Sequence, residues 1–189
     1  MFLASLGLVV IVLFIFIILW AIFSYNRLVR LNALSKEGWS GIDVQLKRRY
    51  DLIPNLVAVV KQYSIHEKET LERVTEMRSF SMGTTQIDKK AEAEAGLTQA
   101  LKTLFAVSEN YPELKANENF LSLQKDLGEI EQDLQLARRY YNGTVRNYNI
   151  AVEIFPSNII ARILNFSSKP YFQVLSEQER EAPKVDFEK

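Results

Sequence analysis

The sequence predicts an all-α protein, in which a single N-terminal transmembrane helix is followed by an antiparallel up-and-down four-helix bundle. Three observations lead to this fold class. Residues 2–23 form a run of 22 positions without a charged side chain. The rest of the chain repeats apolar residues at spacings of three and four, which is the period of a helix face. Only 7 glycines and 5 prolines occur in 189 residues, and this favours long helices over a turn-rich β fold.

The uncharged run at residues 2–23 is long enough to cross a lipid bilayer. As a helix it spans about 33 Å at about 1.5 Å per residue, and the hydrocarbon core of a bilayer is about 30 Å thick. Trp20 and Tyr25 lie at its downstream end, where aromatic rings favour the membrane interface. A cleaved signal peptide is the alternative, but the run is too long for one and lacks a basic segment before it and an Ala-x-Ala-like site.

Positive charge follows the apolar run and predicts the orientation of the chain. Residues 27–49 contain six basic and two acidic side chains, whereas only Met1 precedes the run. Loops rich in Lys and Arg stay on the cytoplasmic side of a membrane. We therefore expect a single-pass protein with a short N-terminus outside and the body on the cytoplasmic side.

The body is predicted to contain four amphipathic helices, of which the first two adjoin Pro54. The first covers about residues 26–51 and continues the membrane helix, and the second covers about residues 55–80. Pro54 fits the first turn of a new helix, with Asp51 or a neighbour as its cap. A single helix kinked at Pro54 is the alternative, and the sequence does not separate the two.

The third and fourth helices are predicted on either side of Pro112, whose ring disfavours helix continuation. The third covers about residues 86–111, and its small and charged residues 91–96 are expected to form its loosest end. The fourth covers about residues 117–154 and ends before Pro156. It has the longest apolar stripe of the chain: Phe120, Leu123, Leu127, Ile130, Leu134, Ala137, Tyr141, Val145, Tyr148, Val152 and Phe155.

These elements divide the chain into four parts. Residues 1–25 are the transmembrane helix, and residues 26–156 the four-helix bundle. Residues 157–176 are a short apolar segment that packs or lies near the membrane, with a helix at about 158–164, and residues 177–189 are a charged flexible tail. The fourth helix is the longest, so its C-terminal end should return towards the bilayer. We expect an interfacial patch there, built from Ile159, Ile160, Phe166, Tyr171 and Phe172.

The chain lacks the residues that several classes of function require. The chain has no cysteine and a single histidine, His66, which excludes disulfides, thiolate chemistry and multi-histidine metal sites. Its 23 basic and 23 acidic side chains balance, unlike those of a general nucleic-acid binder. No Gly-rich phosphate loop, nucleophilic-serine elbow or dinucleotide fingerprint is present. We therefore expect no catalysis, metal, cofactor, nucleic acid or small-molecule substrate.

Polar side chains lie beside the apolar stripes, and we predict that they have structural or partner-contact roles. One interpretation is an anion pocket or partner surface made of arginines and tyrosines. The other, which we favour, is a polar network between helices, in which each charge needs its partner. The predicted set is Trp39, Arg48, Arg49, Asp51, Pro54, Asn55, Glu67, Arg78, Arg138, Tyr141, Asn142, Arg146, Asn149 and Pro156.

A group of longer stretches, spread over about residues 26–175, forms a specific pattern. They lie at 39–56 (WSGIDVQLKRRYDLIPNL), 66–67, 78, 109–120, 137–142, 145–149, 155–158 and 170–172. This pattern resembles the LemA family of bacterial membrane-anchored proteins. Tyr50 departs from the family, which often has His or Asn there, as does Met77, where the family often has Ala.

The resemblance implies a protein of the bacterial inner membrane with a helical-bundle body and no established catalytic activity. Related proteins take part in magnetosome formation, and LemA genes often neighbour one for a membrane zinc protease of the HtpX type. Our first hypothesis is a non-catalytic membrane-anchored scaffold that forms a homo-oligomer and organises membrane proteins. The alternative is an adaptor or modulator of a membrane quality-control protease of the HtpX type. A membrane-associated hydrolase with dispersed carboxylates is the third hypothesis.

Overall fold

The computed structural model describes residues 2–64 and 67–173. Within these ranges the chain forms six helices and no strand, which confirms the all-α class. His66 and the predicted tail at 177–189 lie outside the described residues. The arrangement as an up-and-down four-helix bundle stays a prediction. The helices are α1 (Phe2–Tyr63), α2 (Lys68–Gly83), α3 (Ile87–Ser108), α4 (Pro112–Lys115), α5 (Glu118–Glu153) and α6 (Ser157–Ile163).

The N-terminal part of α1 is apolar on all sides. Its large side chains, from Leu6 to Phe23, are exposed except for the half-buried Trp20. By length and composition, α1 is the one helix in the described part of the chain that could cross a membrane, with a mean hydropathy of 3.3 over its most apolar window. A helix that is hydrophobic all round needs an apolar environment, either a protein core or a bilayer.

The break between the first two helices lies further along the chain than predicted. α1 continues through Pro54 to Tyr63, so the predicted division into helices at 26–51 and 55–80 is wrong, and a single helix through Pro54 is the alternative that holds. α1 ends at Tyr63, and the hydroxyl of the next residue, Ser64, donates to the carbonyl of Val60 at 2.8 Å. A hydroxyl that takes the last carbonyls of a helix competes with the backbone and favours its end.

The later helices follow the predicted pattern closely. α5 differs from the predicted helix at 117–154 by one residue at each end, because its long apolar stripe has a single period. Asn117 caps it, since its side-chain Oδ1 accepts the backbone N–H of Phe120 at 3.0 Å. α3 is shorter than predicted, ending at Ser108, and Pro112 begins the separate one-turn helix α4. Pro is favoured at this first helical position.

Residues 91–96, expected to be the loosest end of α3, are among its most tightly packed. Ala91 and Glu94 are fully buried. A Cβ added to Gly96 would lie 3.2 Å from the sulfur of Met77 on α2. Small side chains let two helices approach closely, so their presence marks a contact between α2 and α3 rather than a mobile end.

The described chain divides into two compact units, each containing a part of α1 and a part of α5. The first unit comprises residues 1–43 and 136–171. Its core cluster consists of Leu28 from α1, Ala151 from α5 and Ala161 from α6, all nearly inaccessible to solvent. Four partly buried side chains pack against this cluster: Leu31, Val152, Ile160 and Phe166.

Within the first unit, α1 and α5 run antiparallel and in close contact at Gly38. A Cβ placed on Gly38 would lie 3.1 Å from the Cα of Tyr141 and 3.3 Å from the hydroxyl of Thr144. Leu28, which precedes Gly38 on α1, packs with Ala151, which follows Tyr141 on α5. Glycine at position 38 therefore permits the backbones of the two helices to approach.

The second unit comprises residues 44–135 and the segment from Phe172 onwards. Its core takes fully buried side chains from α1, α2, α3 and α5, the four helices that supply most of the unit. These helices present one apolar face each, as their spacing predicts. The largest contributors are Leu46, Ile53, Leu56, Val74, Leu97, Leu104, Phe120, Ile130 and Leu134.

Gly38 and Gly41 offer a matched test of the α1–α5 contact. Gly38→Leu should lower the free energy of unfolding by about 1–3 kcal/mol, because the new side chain meets the backbone of Tyr141. Gly41→Leu should raise it by up to about 1 kcal/mol, since a Cβ there has open space and leucine favours helix. Denaturant unfolding in mild detergent, followed by circular dichroism, measures both. Equal effects of the two changes would contradict the close approach.

Candidate functional site

A buried arginine on α1 joins three helices of the second unit. Arg49 is 4% exposed. One of its guanidinium nitrogens lies 3.3 Å from a carboxylate oxygen of Glu94 on α3 and 3.5 Å from one of Glu131 on α5. The other donates to the hydroxyl of Thr98 at 2.9 Å. The planar guanidinium offers donors in several directions, which suits a group that must serve several acceptors.

Tyr50, the next residue of α1, completes this cluster, which we call the Arg49 hub. The Tyr50 hydroxyl donates to the second carboxylate oxygen of Glu94. The ammonium of Lys90 lies 5.3 Å from the centre of the Tyr50 ring and donates to the carbonyl of Ser81 at 2.9 Å. The formal charges of Arg49, Lys90, Glu94 and Glu131 sum to zero. Each buried charge thus has hydrogen-bond or ionic partners, as burial requires.

Arg78 on α2 replaces the backbone hydrogen bond that Pro54 cannot make. In an α-helix the N–H of residue 54 would donate to the carbonyl of Tyr50, but proline has no N–H. The Nε of Arg78 donates to that carbonyl at 2.8 Å. The freed acceptor is therefore satisfied by a neighbouring helix. This explains how α1 continues past Pro54 and connects two residues that the sequence analysis selected separately.

A second polar cluster, in the first unit, holds the segment after α6. The side-chain amide of Asn149 makes two hydrogen bonds with the backbone of Lys169, donating to its carbonyl at 2.9 Å and accepting from its N–H at 2.8 Å. The hydroxyl of Tyr141 donates to the carbonyl of Pro170 at 3.0 Å. Trp39 meets the ring of Tyr141 edge to face, with centroids 5.5 Å apart. Asn149 and Tyr141 thus bind the segment after α6, and Trp39 packs against Tyr141.

The ammonium of Lys169 lies in a partly buried position beside α1 and α5. It donates to the hydroxyl of Ser35 and lies 5.1 Å from the centre of the Tyr148 ring. Burial, and then the nearby charge of Lys36, lower the pKa of Lys169. Burial likewise raises the pKa of the Tyr148 hydroxyl. Both shifts follow from the cost of holding a charge away from water.

The other predicted residues take separate positions. Glu67 accepts a hydrogen bond from the hydroxyl of Tyr111 at 2.9 Å, which raises the pKa of that tyrosine. Arg48 lies 3.5 Å from Asp133, and both are about half exposed. Asp51 pairs with Lys47 on the surface of α1. The roles predicted for the remaining residues stay predictions: Pro54, Asn55, Arg146 and Pro156 are exposed, and Arg138 and Asn142 are half-buried.

The sequence analysis missed several residues of these clusters, above all Glu94 and Lys169. Glu94 lies in the small and charged run at 91–96, which was interpreted as loose. A charged residue flanked by alanines on an amphipathic helix indicates a buried ion pair, and the sequence around Glu94 contains this signal. Lys169 lies outside any periodic segment, so only the fold brings it to Asn149.

The chemistry of the two clusters is that of structural contacts. In the described ranges no group of three or more His, Asp or Glu side chains could hold a metal ion. The carboxylates of the Arg49 hub accept hydrogen bonds from Arg49 and Tyr50. Removing one partner of such a buried pair leaves the other charge without compensation. The clusters can therefore set the register between helices.

A double-mutant cycle tests the connection between Pro54 and Arg78. Arg78→Met should lower the free energy of unfolding by about 1.5–3 kcal/mol, because the Tyr50 carbonyl loses its donor. In a Pro54→Ala background the same change should cost at least about 0.5 kcal/mol less, since the new N–H can donate to that carbonyl.

Arg73→Met is the control for this cycle, since Arg73 pairs with the exposed Glu76 on the same helix. It should change the free energy of unfolding by less than about 1 kcal/mol in either background. Identical costs of Arg78→Met with and without Pro54 would contradict the connection.

Glu94 and Glu92 test the Arg49 hub with one substitution at two positions of α3. Glu94→Ala should lower the free energy of unfolding by about 3–5 kcal/mol, because it leaves Arg49 buried with a weakened set of partners. Glu92→Ala, at an exposed position, should change it by less than about 0.5 kcal/mol. Thermal and denaturant unfolding measure both, and similar small effects would show that the hub does not stabilise the unit.

The sequence of this chain is similar to those of proteins from one family. A sequence model described as the LemA family matches residues 38–187. The protein LemA of Metamycoplasma hominis is 28% identical over 160 residues, covering 82% of this chain and 71% of its own. Magnetosome protein MamQ 2 of Paramagnetospirillum magneticum is 24% identical over 175 residues, covering 79% of this chain. Magnetosome protein MamQ of Magnetospirillum gryphiswaldense is 22% identical over 174 residues, covering 78% of this chain.

The chain spans 64% of the length of each of these two magnetosome proteins. The family match extends over most of this chain and includes the Arg49 hub, as well as Trp39, Tyr141 and Asn149 of the second polar cluster. The resemblance inferred from the sequence is thereby confirmed, and the chain belongs to the LemA family.

Proposed function

We propose that this protein is a non-catalytic, membrane-anchored helical scaffold that assembles with copies of itself and organises other proteins at the membrane. The single observation that carries the proposal is the composition of α1. One continuous helix has an exposed apolar stretch of bilayer length at its start and the buried Arg49 further along. The same element can therefore anchor the chain and serve as the support on which other helices pack.

Membrane anchoring is supported by the exposure of the apolar stretch. The large side chains from Leu6 to Phe23, apart from the half-buried Trp20, are exposed in the described chain, and their transfer from water to lipid is favourable. A span of 22 residues gives about 33 Å of helix, enough for the hydrocarbon core. Arg27 and Arg30 follow the stretch and are exposed, which favours a cytoplasmic body at a bacterial inner membrane.

A structural rather than catalytic role is supported by how the polar residues are used. The buried charges of the Arg49 hub bind one another, and Asn149 binds main chain. A catalytic acid or base needs a free position facing a substrate. Two of the relatives are called magnetosome proteins, a name that associates them with an assembly and not with a reaction.

Anchoring gives weak contacts between copies a physical advantage. Chains confined to a membrane surface have a high effective concentration, so contacts that would be negligible in solution become significant. The body retains exposed large apolar side chains that are available for such contacts, among them Val44, Leu121, Leu136 and Tyr140. An organising role for the assembly then requires no chemistry of its own.

Crosslinking in intact membranes tests the proposal. Two differently tagged copies are expressed together, treated with an amine-reactive crosslinker, solubilised gently and purified through one tag. We expect the second tag to be recovered in a crosslinked product of defined mass, because copies lie side by side. The control is the mixing of separately expressed membranes, which should yield no mixed product.

Two outcomes would contradict the scaffold. Recovery of monomer alone would argue against self-assembly. Recovery of a stoichiometric second protein in place of the second tag would favour the adaptor hypothesis, and the partner's chemistry would then define the function.

A further inference from the structure

The short helix α6 lies beside the point where α1 leaves its apolar stretch. Ala161 of α6 shares a buried cluster with Leu28 of α1. Phe166, just after α6, meets the ring of Tyr25 edge to face, with centroids 6.2 Å apart. Tyr25 and Leu28 are two and five residues past Phe23, which corresponds to about 3 and 7.5 Å along the helix.

These distances coincide with the headgroup layer of a bilayer. The polar layer on each side is about 5–7.5 Å thick, since the whole bilayer measures about 40–45 Å and its hydrocarbon core about 30 Å. If residues 2–23 occupy the hydrocarbon core, α6 lies at the depth of the headgroups. This step rests on the membrane anchoring proposed above.

The side chains of α6 divide into two sets. Ala161, Ile160 and the following Phe166 pack inward against the core of the unit. Ile159 and Ile163 are exposed, Ile163 with 67% of its surface accessible. Of the other residues expected in the patch from the sequence, Ile160, Phe166 and Tyr171 are half-buried, and Phe172 is buried and does not belong to it.

The turn before α6 extends the exposed apolar surface. Ile154 and Phe155 are exposed, and 73% of the surface of Phe155 is accessible. Leu164, directly after the C-terminal end of α6, is exposed as well. Large apolar patches on a protein surface mark an interaction site. The contact between Phe166 and Tyr25 places α6 near the exposed apolar stretch of α1, so one hydrophobic environment could cover both.

The charged side chains near this patch are mostly basic, with the acidic Glu153 at the end of α5. α6 contains one basic and no acidic residue, Arg162, which is exposed. Arg27 and Arg30 are exposed on the neighbouring part of α1. Basic groups beside apolar side chains are typical of helices that lie in the interface of a membrane.

We propose that α6 and the Phe155–Pro156 turn form a second membrane contact, in which Phe155, Ile159 and Ile163 insert into the interface of the bilayer that α1 spans. The contact is with lipid. It closes the first unit against the membrane surface and limits rotation of α1 about its axis, because α6 is fixed to α1 through Leu28 and Tyr25.

Spin labelling tests this proposal directly, because the chain has no cysteine and each label site is unique. Full-length Ile163→Cys, Leu13→Cys and Leu136→Cys are labelled with a nitroxide and reconstituted in vesicles that contain anionic phospholipid. Collision with oxygen, which prefers lipid, and with a nickel chelate, which prefers water, then reports depth. All three side chains are exposed in the protein, so the label should not disturb the fold.

Leu136 is the matched control, an exposed leucine of the same unit. α5 runs antiparallel to α1, and Gly38 meets Tyr141, so Leu136 lies beside about residue 43. That is about 30 Å past Phe23 along α1, well beyond the headgroups. We expect an oxygen-to-nickel collision ratio at position 163 several-fold above that at 136 and below that at 13.

Three results would overturn the proposal, each in a distinguishable way. A ratio at 163 equal to that at 136, with 13 deep in the bilayer, would leave the anchor intact and place α6 in water. Low collision with both reagents at 163 would mean that another protein or a second copy covers the patch. A water-exposed label at 13 would remove the anchor itself, and with it the basis of the inference.

Discussion

The buried guanidinium of Arg49 is the constraint on which the second unit depends. A charge removed from water must be compensated, and here the compensation comes from Glu94 on α3 and Glu131 on α5. Because the partners belong to different helices, the pairing defines how those helices are aligned along α1. Apolar contacts alone would tolerate small slips between neighbouring helices, whereas a buried ion pair does not. The hub therefore contributes alignment as well as stability.

The same part of α1 shows how tertiary contacts can override a local signal. Pro54 removes a helix hydrogen bond and would normally favour a break. The guanidinium of Arg78 supplies the missing donor to the Tyr50 carbonyl, and α1 continues. The end of the helix instead falls at Ser64, whose hydroxyl binds the carbonyl of Val60. A proline and an arginine that are distant in the sequence thus act together in the fold.

The first unit depends on a different kind of interaction. One cluster of its core combines the small residues Ala151 and Ala161 with Leu28, and Gly38 permits contact between the α1 and α5 backbones. The side-chain amide of Asn149 donates one hydrogen bond to the main chain of the segment after α6 and accepts another from it. Polar side chains here fix the segment after α6, while Ile159 and Ile163 of α6 itself remain exposed.

The sequence by itself determined the apolar helix, the all-α class and the bounds of α5, because each depends on a periodic or continuous local pattern. It also predicted Arg49, Asn149 and Arg78 as members of polar contacts. The tertiary structure alone decided which partners they have and that α1 passes Pro54. These features depend on atoms brought together from distant positions, and a hydrogen bond between helices leaves no periodic signal in either one.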